Sequence, residues 1–303
     1  MTVRAAINRL TGHEPLNFAL TNRIPRRALT RFMGWFSKIE QPLVRDLSIA
    51  AWRLFCDVDL KDARKTEFRS LHDCFIRELR DGARPVDAAE DVLVSPCDAI
   101  VGASGAIAGN VLLQVKGFPY TLEELLCDPD LAAIYRDGRY VTLRLTAGMY
   151  HRFHAPHDGR VARVTHVAGD AWNVNPVTLK RIDRVYCKNE RAVLRLDLAR
   201  GGATVTLVAV AAILVAGIRL TFADIPSRRR DETWTIDPPH ASFRKGDEMG
   251  WFEHGSTIVV LAPPGFELCA NVAPGSPIRT GEPLLRFQEP PDGTGEPAAI
   301  ATD

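Results

Sequence analysis

A glycine–serine pair at the mouth of an apolar run is where this backbone itself could react. Gly255-Ser256-Thr257 stands between an acidic, glycine-rich stretch and Ile258-Val259-Val260-Leu261. A serine hydroxyl there can attack the preceding carbonyl, which glycine leaves uncrowded. The same pair also reads as an ordinary turn, so the tripeptide decides nothing alone. His151, His154 and His157 form the next group, equally spaced. On a helix that spacing would suit a metal. Pro156 and Asp158-Gly159 argue against a helix, and no carboxylate or cysteine pattern joins them, so no metal is expected. In a regular strand, residues three apart face opposite sides; His151 and His154 share one site only if the backbone turns here. Asp98, following Pro96, reads by itself as a turn residue.

Taken together, several phrases in order carry more than any one of them. Lys245-Gly246-Asp247-Glu248-Met249-Gly250-Trp251-Phe252-Glu253-His254-Gly255-Ser256-Thr257 resembles the self-cleavage segment of the phosphatidylserine decarboxylases, a pyruvoyl-dependent family. Phe75-Ile76-Arg77-Glu78-Leu79-Arg80 with Arg84-Pro85-Val86-Asp87 is similar to the entry of its catalytic domain, and Ser95-Pro96-Cys97-Asp98 to the stretch holding its aspartate. Gln114-Val115-Lys116-Gly117, with Tyr120-Thr121-Leu122, matches a further block, and Tyr150-His151-Arg152-Phe153-His154-Ala155-Pro156 the two-histidine block. The resemblance runs from roughly residue 66 to residue 266. It departs from the family at Cys97 and Ala99, which flank the aspartate, and at His254, where leucine is usual.

The resemblance implies a catalytic triad turned on the protein's own backbone, Asp98 to His154 to Ser256. Attack of Ser256 on Gly255 would convert the peptide to an ester. Elimination would release residues 1–255 as a β chain, and residues 256–303 would begin with a pyruvoyl group made from Ser256. That ketone would form a Schiff base with a substrate amine and take up the electrons left by carbon dioxide, as a borrowed cofactor does elsewhere. His151 would act afterwards, in decarboxylation and proton delivery. The implied substrate is phosphatidylserine, converted to phosphatidylethanolamine at the cytoplasmic face of the inner membrane, with the two chains staying associated and a homodimer left open.

Charge and patterning supply the surroundings. Residues 1–45 hold eight basic groups against two acidic ones, in a chain of net charge +1. Such a head suits an anionic surface; membrane rather than nucleic acid is the partner expected. After Pro25, the residues Leu29, Phe32, Met33, Phe36 and Ile39 fall at helical steps among Arg26, Arg27, Arg31 and Lys38, a pattern fit for an interface helix. Pro42 should end that helix, and Leu43, Leu47, Ala50, Ala51 and Leu54 give a second. A third is expected from Glu67 to about Arg80, and a capping box at Thr121 and Glu124 starts a short one. Arg228-Arg229-Arg230 could meet lipid phosphate or simply be solvated.

From Val92 onward the period shortens to that of strands: 100–101, 111–115, 140–145, 161–167, 192–196, 204–210, 212–218 and 257–261. The uncharged run from Gly201 to Ile218, rich in Val and Thr, reads as buried strand rather than a membrane span. Gly275 to Leu284 resembles the hairpin of biotinyl carriers, without a carrier lysine. Six cysteines without a Cys-x-x-Cys pair read as reduced thiols, and no signal peptide is visible. The expectation is an α+β protein. It has a basic helical segment over 1–65, a β-rich, hammerhead- or barrel-like catalytic core over 66–287, and a disordered tail over 288–303. Two other functions stay open: a soluble pyruvoyl-dependent decarboxylase of a free amino acid, and a non-enzymatic β-rich carrier or membrane-binding module.

Overall fold

A computed structural model describes residues 14, 18, 25–115, 118–213, 217–224, 232–253 and 256–288. Lys116-Gly117, the Arg228-Arg229-Arg230 cluster, His254-Gly255 and all of the expected tail except Gln288 lie outside the described residues.

The core is a nine-stranded antiparallel sheet. Its order is β11 (Trp234–Ile236), β7 (Gly159–Val167), β8 (Arg191–Leu198), β9 (Thr204–Ala211), β14 (Ser256–Ala262), β5 (Arg139–Leu145), β2 (Ala99–Ala106) and β16 (Pro277–Ile278), with β12 (Ser242–Phe243) beside β7. The unalternated run Ile258-Val259-Val260-Leu261 explains the place of β14. All seven of its residues are buried, as a strand covered on both faces requires. The sheet is open, and no closed barrel forms among the described residues. The uncharged stretch after Gly201 is strand, as its Val and Thr content led one to expect. Ala212 and Ile213 do not extend it, however; residues 214–216 lie outside the described residues, and Ile218 is strand again. No helix among the described residues is long and apolar enough to cross a membrane.

A second sheet of three strands, β10 (Ile218–Leu220), β13 (Glu248–Phe252) and β6 (Arg152–His154), carries both the two-histidine block and the phrase leading to Ser256. Glu248 lies opposite His154 and Trp251 opposite Arg152, across a bulge. Phe252 then donates to the carbonyl of His151 at 3.0 Å. Along β13 the chain thus passes His154 first and His151 last, four residues before Ser256. Gly250 is required there: a Cβ would come within 2.1 Å of the Arg219 carbonyl oxygen. Smaller sheets complete the fold, β1 (Val92–Val94) with β17 (Pro283–Phe287) and β15 (Phe266–Leu268), and β3 (Val111–Val115) with β4 (Phe118–Thr121).

The head forms α1 (Arg26–Phe36) and α2 (Pro42–Phe55). Pro42 does not stop the first helix, which ends six residues earlier; it opens the second, where its missing N–H costs nothing. Gln41 caps α2 by accepting from Val44 N at 2.7 Å. The expected helix over 67–80 shrinks to α3 (Leu71–Phe75). Ser70 caps it through Asp73 N, and the chain then spends its hydrogen bonds elsewhere. Arg64 N donates to Glu78 O, Arg80 N to Asp62 O, and Arg152 reaches Ile76 O. Helical spacing of Phe68, Leu71, Phe75 and Leu79 was real, but pairing with residues 62–64 outcompetes it. The capping box at Thr121 and Glu124 forms with both reciprocal bonds and starts α4 (Leu122–Leu126).

Candidate active site

Ser256 opens β14, held between Leu145 of β5 and Ala211 of β9. It is fully buried, and its Oγ has no hydrogen-bond partner among the described residues. A buried hydroxyl normally finds one, because leaving it unmade costs about 1–3 kcal/mol. Beside it lies an apolar chamber of about 590 Å³, the size of a small-molecule site. Its wall includes Leu145 from the sheet, Phe75 from α3, Met33 from α1, and Trp52 from α2. The head helices therefore roof the chamber rather than hang free of it. Arg26 fixes their start, pairing with Asp170 at 2.5 Å and lying 3.7 Å above the Trp172 ring.

The three histidines go to three places. His151 is fully buried; its Nδ1 donates to Met149 O at 2.8 Å, and its ring centroid sits 4.0 Å from that of Phe75. Phe75 also lines the chamber, so His151 stands behind that part of its wall. His154 turns to a polar cleft of about 480 Å³ shared with Arg84, Tyr150, Arg152 and Glu248. Its Nδ1 donates to Gly246 O at 2.8 Å, and its Nε2 accepts from the Tyr150 hydroxyl at 3.0 Å. Burial lowers its pKa, against the opposing pull of the Gly246 carbonyl, Glu248 and Asp98, so the ring is kept neutral. His157 faces the carbonyl oxygens of Glu90 and Asp158. No group of three or more metal-ligating side chains occurs among the described residues.

Asp98 is buried at the edge of the same cleft, but its carboxylate is held by other groups. Arg84 donates Nε at 2.9 Å to Oδ1 and Nη2 at 2.6 Å to Oδ2. Thr280 adds its backbone N–H and hydroxyl to Oδ1 at 3.0 and 3.1 Å. The charge-assisted fork raises the Arg84 pKa well above its usual value. The structure thus places His154 in the cleft and Asp98 behind it on Arg84, without a hydrogen bond between the two, and Ser256 on the chamber wall with His151 behind Phe75. It does not bring His154 within hydrogen-bond reach of Ser256 Oγ. Gly255 lies outside the described residues.

Sequence reasoning gave no role to Tyr150, Thr280 or Phe75. Tyr150 was visible inside the two-histidine block. Thr280 was not, since it reaches Asp98 across 182 positions of chain from the segment that resembles a carrier hairpin.

Residues 71–286 match the family model described as phosphatidylserine decarboxylase. The phosphatidylserine decarboxylase proenzyme of Haemophilus influenzae is 32% identical over 278 residues, covering 89% of this chain and 95% of its own. That of Vibrio cholerae serotype O1 is 36% identical over 275 residues, covering 86% and 94%. The Polaromonas sp. proenzyme is 33% identical, covering 87% and 95%. The matched stretch spans the aspartate, both histidines and the buried serine at the head of the central strand, and with them the chain belongs to the phosphatidylserine decarboxylase family.

Proposed function

We propose that this chain is a self-processing phosphatidylserine decarboxylase, a carboxy-lyase that yields phosphatidylethanolamine and carbon dioxide, and that it matures at the Gly255–Ser256 bond. The observation that carries the reading is the fully buried hydroxyl of Ser256, without a hydrogen-bond partner among the described residues and set at the head of β14 beside a largely apolar chamber. That hydroxyl forms a bond from Oγ to the Gly255 carbonyl carbon, the carbon–nitrogen bond breaks, and the nitrogen takes the proton. A base then takes the Cα proton as the Cβ–Oγ bond breaks, which frees residues 1–255 with a new carboxylate. The dehydroalanine left at position 256 shifts to an imine, and a water molecule hydrolyses it to a pyruvoyl group and ammonia. The site fits such a group: Ser256 is buried, and the chamber beside it is walled largely by apolar side chains. When formed, it supplies an electrophilic carbonyl for the substrate amine and a sink for the electron pair released with carbon dioxide.

His154 serves maturation as general base, with Asp98 setting the field around it. Its neutral ring keeps a lone pair on Nε2, the nitrogen that now accepts from Tyr150, so reaching Ser256 requires that bond to be exchanged. His151 serves turnover, holding or returning the proton from behind the Phe75 wall. One observation favours a second reading, in which His151 is the maturation base too: of the two rings, His151 touches a residue that lines the Ser256 chamber.

Residues 1–65 act as the membrane-associating segment and 66–287 as the catalytic unit. The outer faces of α1 and α2 expose Phe32, Trp35 (64%), Leu43 (64%), Leu47 (63%) and Phe55. Their inner faces contribute Met33 and Trp52 to the chamber. The same two helices would thus meet acyl chains at the cytoplasmic face of the inner membrane and line the chamber beside Ser256. A free amino acid would gain nothing from that lining.

Denaturing mass spectrometry tests the cleavage. Purified protein should give residues 1–255 and a C-terminal piece, 256–303, with a blocked N-terminus, whereas Ser256→Ala should stay one inactive chain. A single uncut wild-type chain refutes the reading. Assay with phosphatidylserine vesicles beside free serine and tryptophan separates lipid from amino-acid substrates.

A further inference from the structure

Glu253 is the last described residue before the bond taken above as the scissile one, and it carries a charge in a buried place. Its side chain is only 5% exposed. An isolated carboxylate there would be costly, yet a lysine, an arginine and a histidine converge on it. Lys38 Nζ, His72 Nε2 and Arg219 Nε each stand 3.5 Å from Oε1. Burial alone would raise the Glu253 pKa, but His72, Lys38 and Arg219 outweigh it and bring it to about 2. The carboxylate is therefore charged throughout the neutral range.

The three partners come from three parts of the fold. Lys38 lies just past the end of α1, in the basic head. His72 belongs to α3 and donates its backbone N–H to Ser37 O at 2.8 Å, which joins α3 to the same turn of the head. Arg219 is in β10, opposite Trp251 of β13. The backbone of Glu253 adds a bond of its own, from N to Gly217 O at 3.0 Å. The residue that leads into the reacting bond is thus fastened to the head, to a chamber wall element and to a neighbouring strand at once. The contacts are long for hydrogen bonds, so their hold is electrostatic.

We infer that Glu253 is a positioning residue for maturation: its carboxylate registers the segment entering the Gly255–Ser256 bond against the docked head through Lys38 and His72. The inference rests on the cleavage reading above. Self-cleavage needs the serine hydroxyl aimed at the preceding carbonyl, and misplacement by about 1 Å can cost about 10²-fold in rate. A charge two residues upstream, locked from three sides, restricts that freedom. The head gains a role besides contact with lipid, since displacing Lys38 loosens the segment that must cut itself.

The test follows cleavage by denaturing mass spectrometry after expression pulses, with turnover measured per cleaved chain. Wild type must first yield the 255/256 cut; if it does not, the cleavage reading fails and the Glu253 inference falls with it. Given that cut, Glu253→Gln should mature at least tenfold more slowly, and Glu253→Asp, which keeps the charge, should stay within about threefold of wild type. Lys38→Met should slow maturation less, and the Lys38→Met, Glu253→Gln double variant should be little slower than Glu253→Gln alone, as coupled partners require. Turnover per cleaved chain should match wild type in all of them. Maturation of Glu253→Gln at the wild-type rate would overturn the inference. So would a joint loss of maturation, turnover per cleaved chain and thermal stability, the last measured in a Ser256→Ala background, because that pattern marks a merely structural charge.

Discussion

The chamber around Ser256 and the cleft around His154 are each met by one histidine of a single short block of sequence, yet their linings differ in kind. The chamber is walled by Leu145, Phe75, Met33 and Trp52, with His151 stacked behind Phe75. The cleft is walled by Arg84, Arg152, Glu248 and Tyr150, with Asp98 fastened at its edge. Two histidines three positions apart land one beside each, as the alternation of extended chain demands. The chamber offers an acyl chain a largely apolar surface, with Arg144, Asn173 and Asn175 as polar members of its lining. In the cleft a proton can be exchanged with polar neighbours. On the function proposed above, the two reactions, cutting itself once and turning over many times, would be divided between two rings of a single motif.

Replacing the histidines singly should break or confirm that division, with the largest effects expected anywhere beyond Ser256. His154→Ala should slow maturation about 10³- to 10⁴-fold, in line with removal of a triad member, and His151→Ala should mature yet turn over poorly. The readouts are cleaved fraction on denaturing gels and carbon dioxide release per cleaved chain. If His151→Ala instead fails to mature while His154→Ala cuts promptly, the second reading holds and the cleft is not the site of the base. Asp98→Asn sharpens the same comparison. It weakens the fork from Arg84, so maturation should fall strongly while the chamber, and turnover by any chains already cut, is spared.

Much of the scaffold that separates the two regions was legible in sequence, and the reasons are local. Ile258 to Leu261 lacks alternation, and a strand with two covered faces is the result. Thr121 and Glu124 satisfy each other's backbone, so that helix start could be read from four residues. What was not legible depends on partners far away in the chain. The 67–80 helix lost to pairing with residues 62–64. The residue types of the site were readable too, but not their facing. The side taken by each histidine depends on the bulge between Glu248 and Gly250 in a partner strand about a hundred residues on. Asp98 looked free to orient a histidine, whereas Arg84 and Thr280 already hold it.

The outer surface of the head offers a more moderate test, aimed at the chamber's access to lipid. Trp35→Ser with Leu47→Ser removes two exposed apolar side chains, each able to contribute about 1.5–3 kcal/mol on burial. Binding to anionic vesicles, followed by flotation, should weaken at least tenfold, while maturation and the turnover of short-chain, detergent-dispersed phosphatidylserine stay near wild type. Unchanged flotation would mean that these helices serve only as a roof.

The smallest effect expected is a shift along the pH axis, and it belongs to the cleft alone. Burial holds the His154 pKa below the ordinary 6.5, so the ring remains neutral, and able to accept a proton, to a lower pH than a solvated histidine would. The stability gained by keeping it neutral is full above about pH 6.5 and is lost as pH falls toward the folded value, where the buried ring must charge. Maturation should therefore persist into mildly acidic solution before it declines. Tyr150 donates to the lone pair of the neutral ring, a bond that imidazolium cannot accept. Tyr150→Phe removes that preference, so the acidic decline of the maturation rate should move upward toward pH 6.5, with a change of only a few fold at neutral pH. Cleavage rates across pH 5 to 8 measure it. An acid limb that stays put in Tyr150→Phe, but moves when His151 is replaced by Gln, would place the titrating base behind the chamber wall instead.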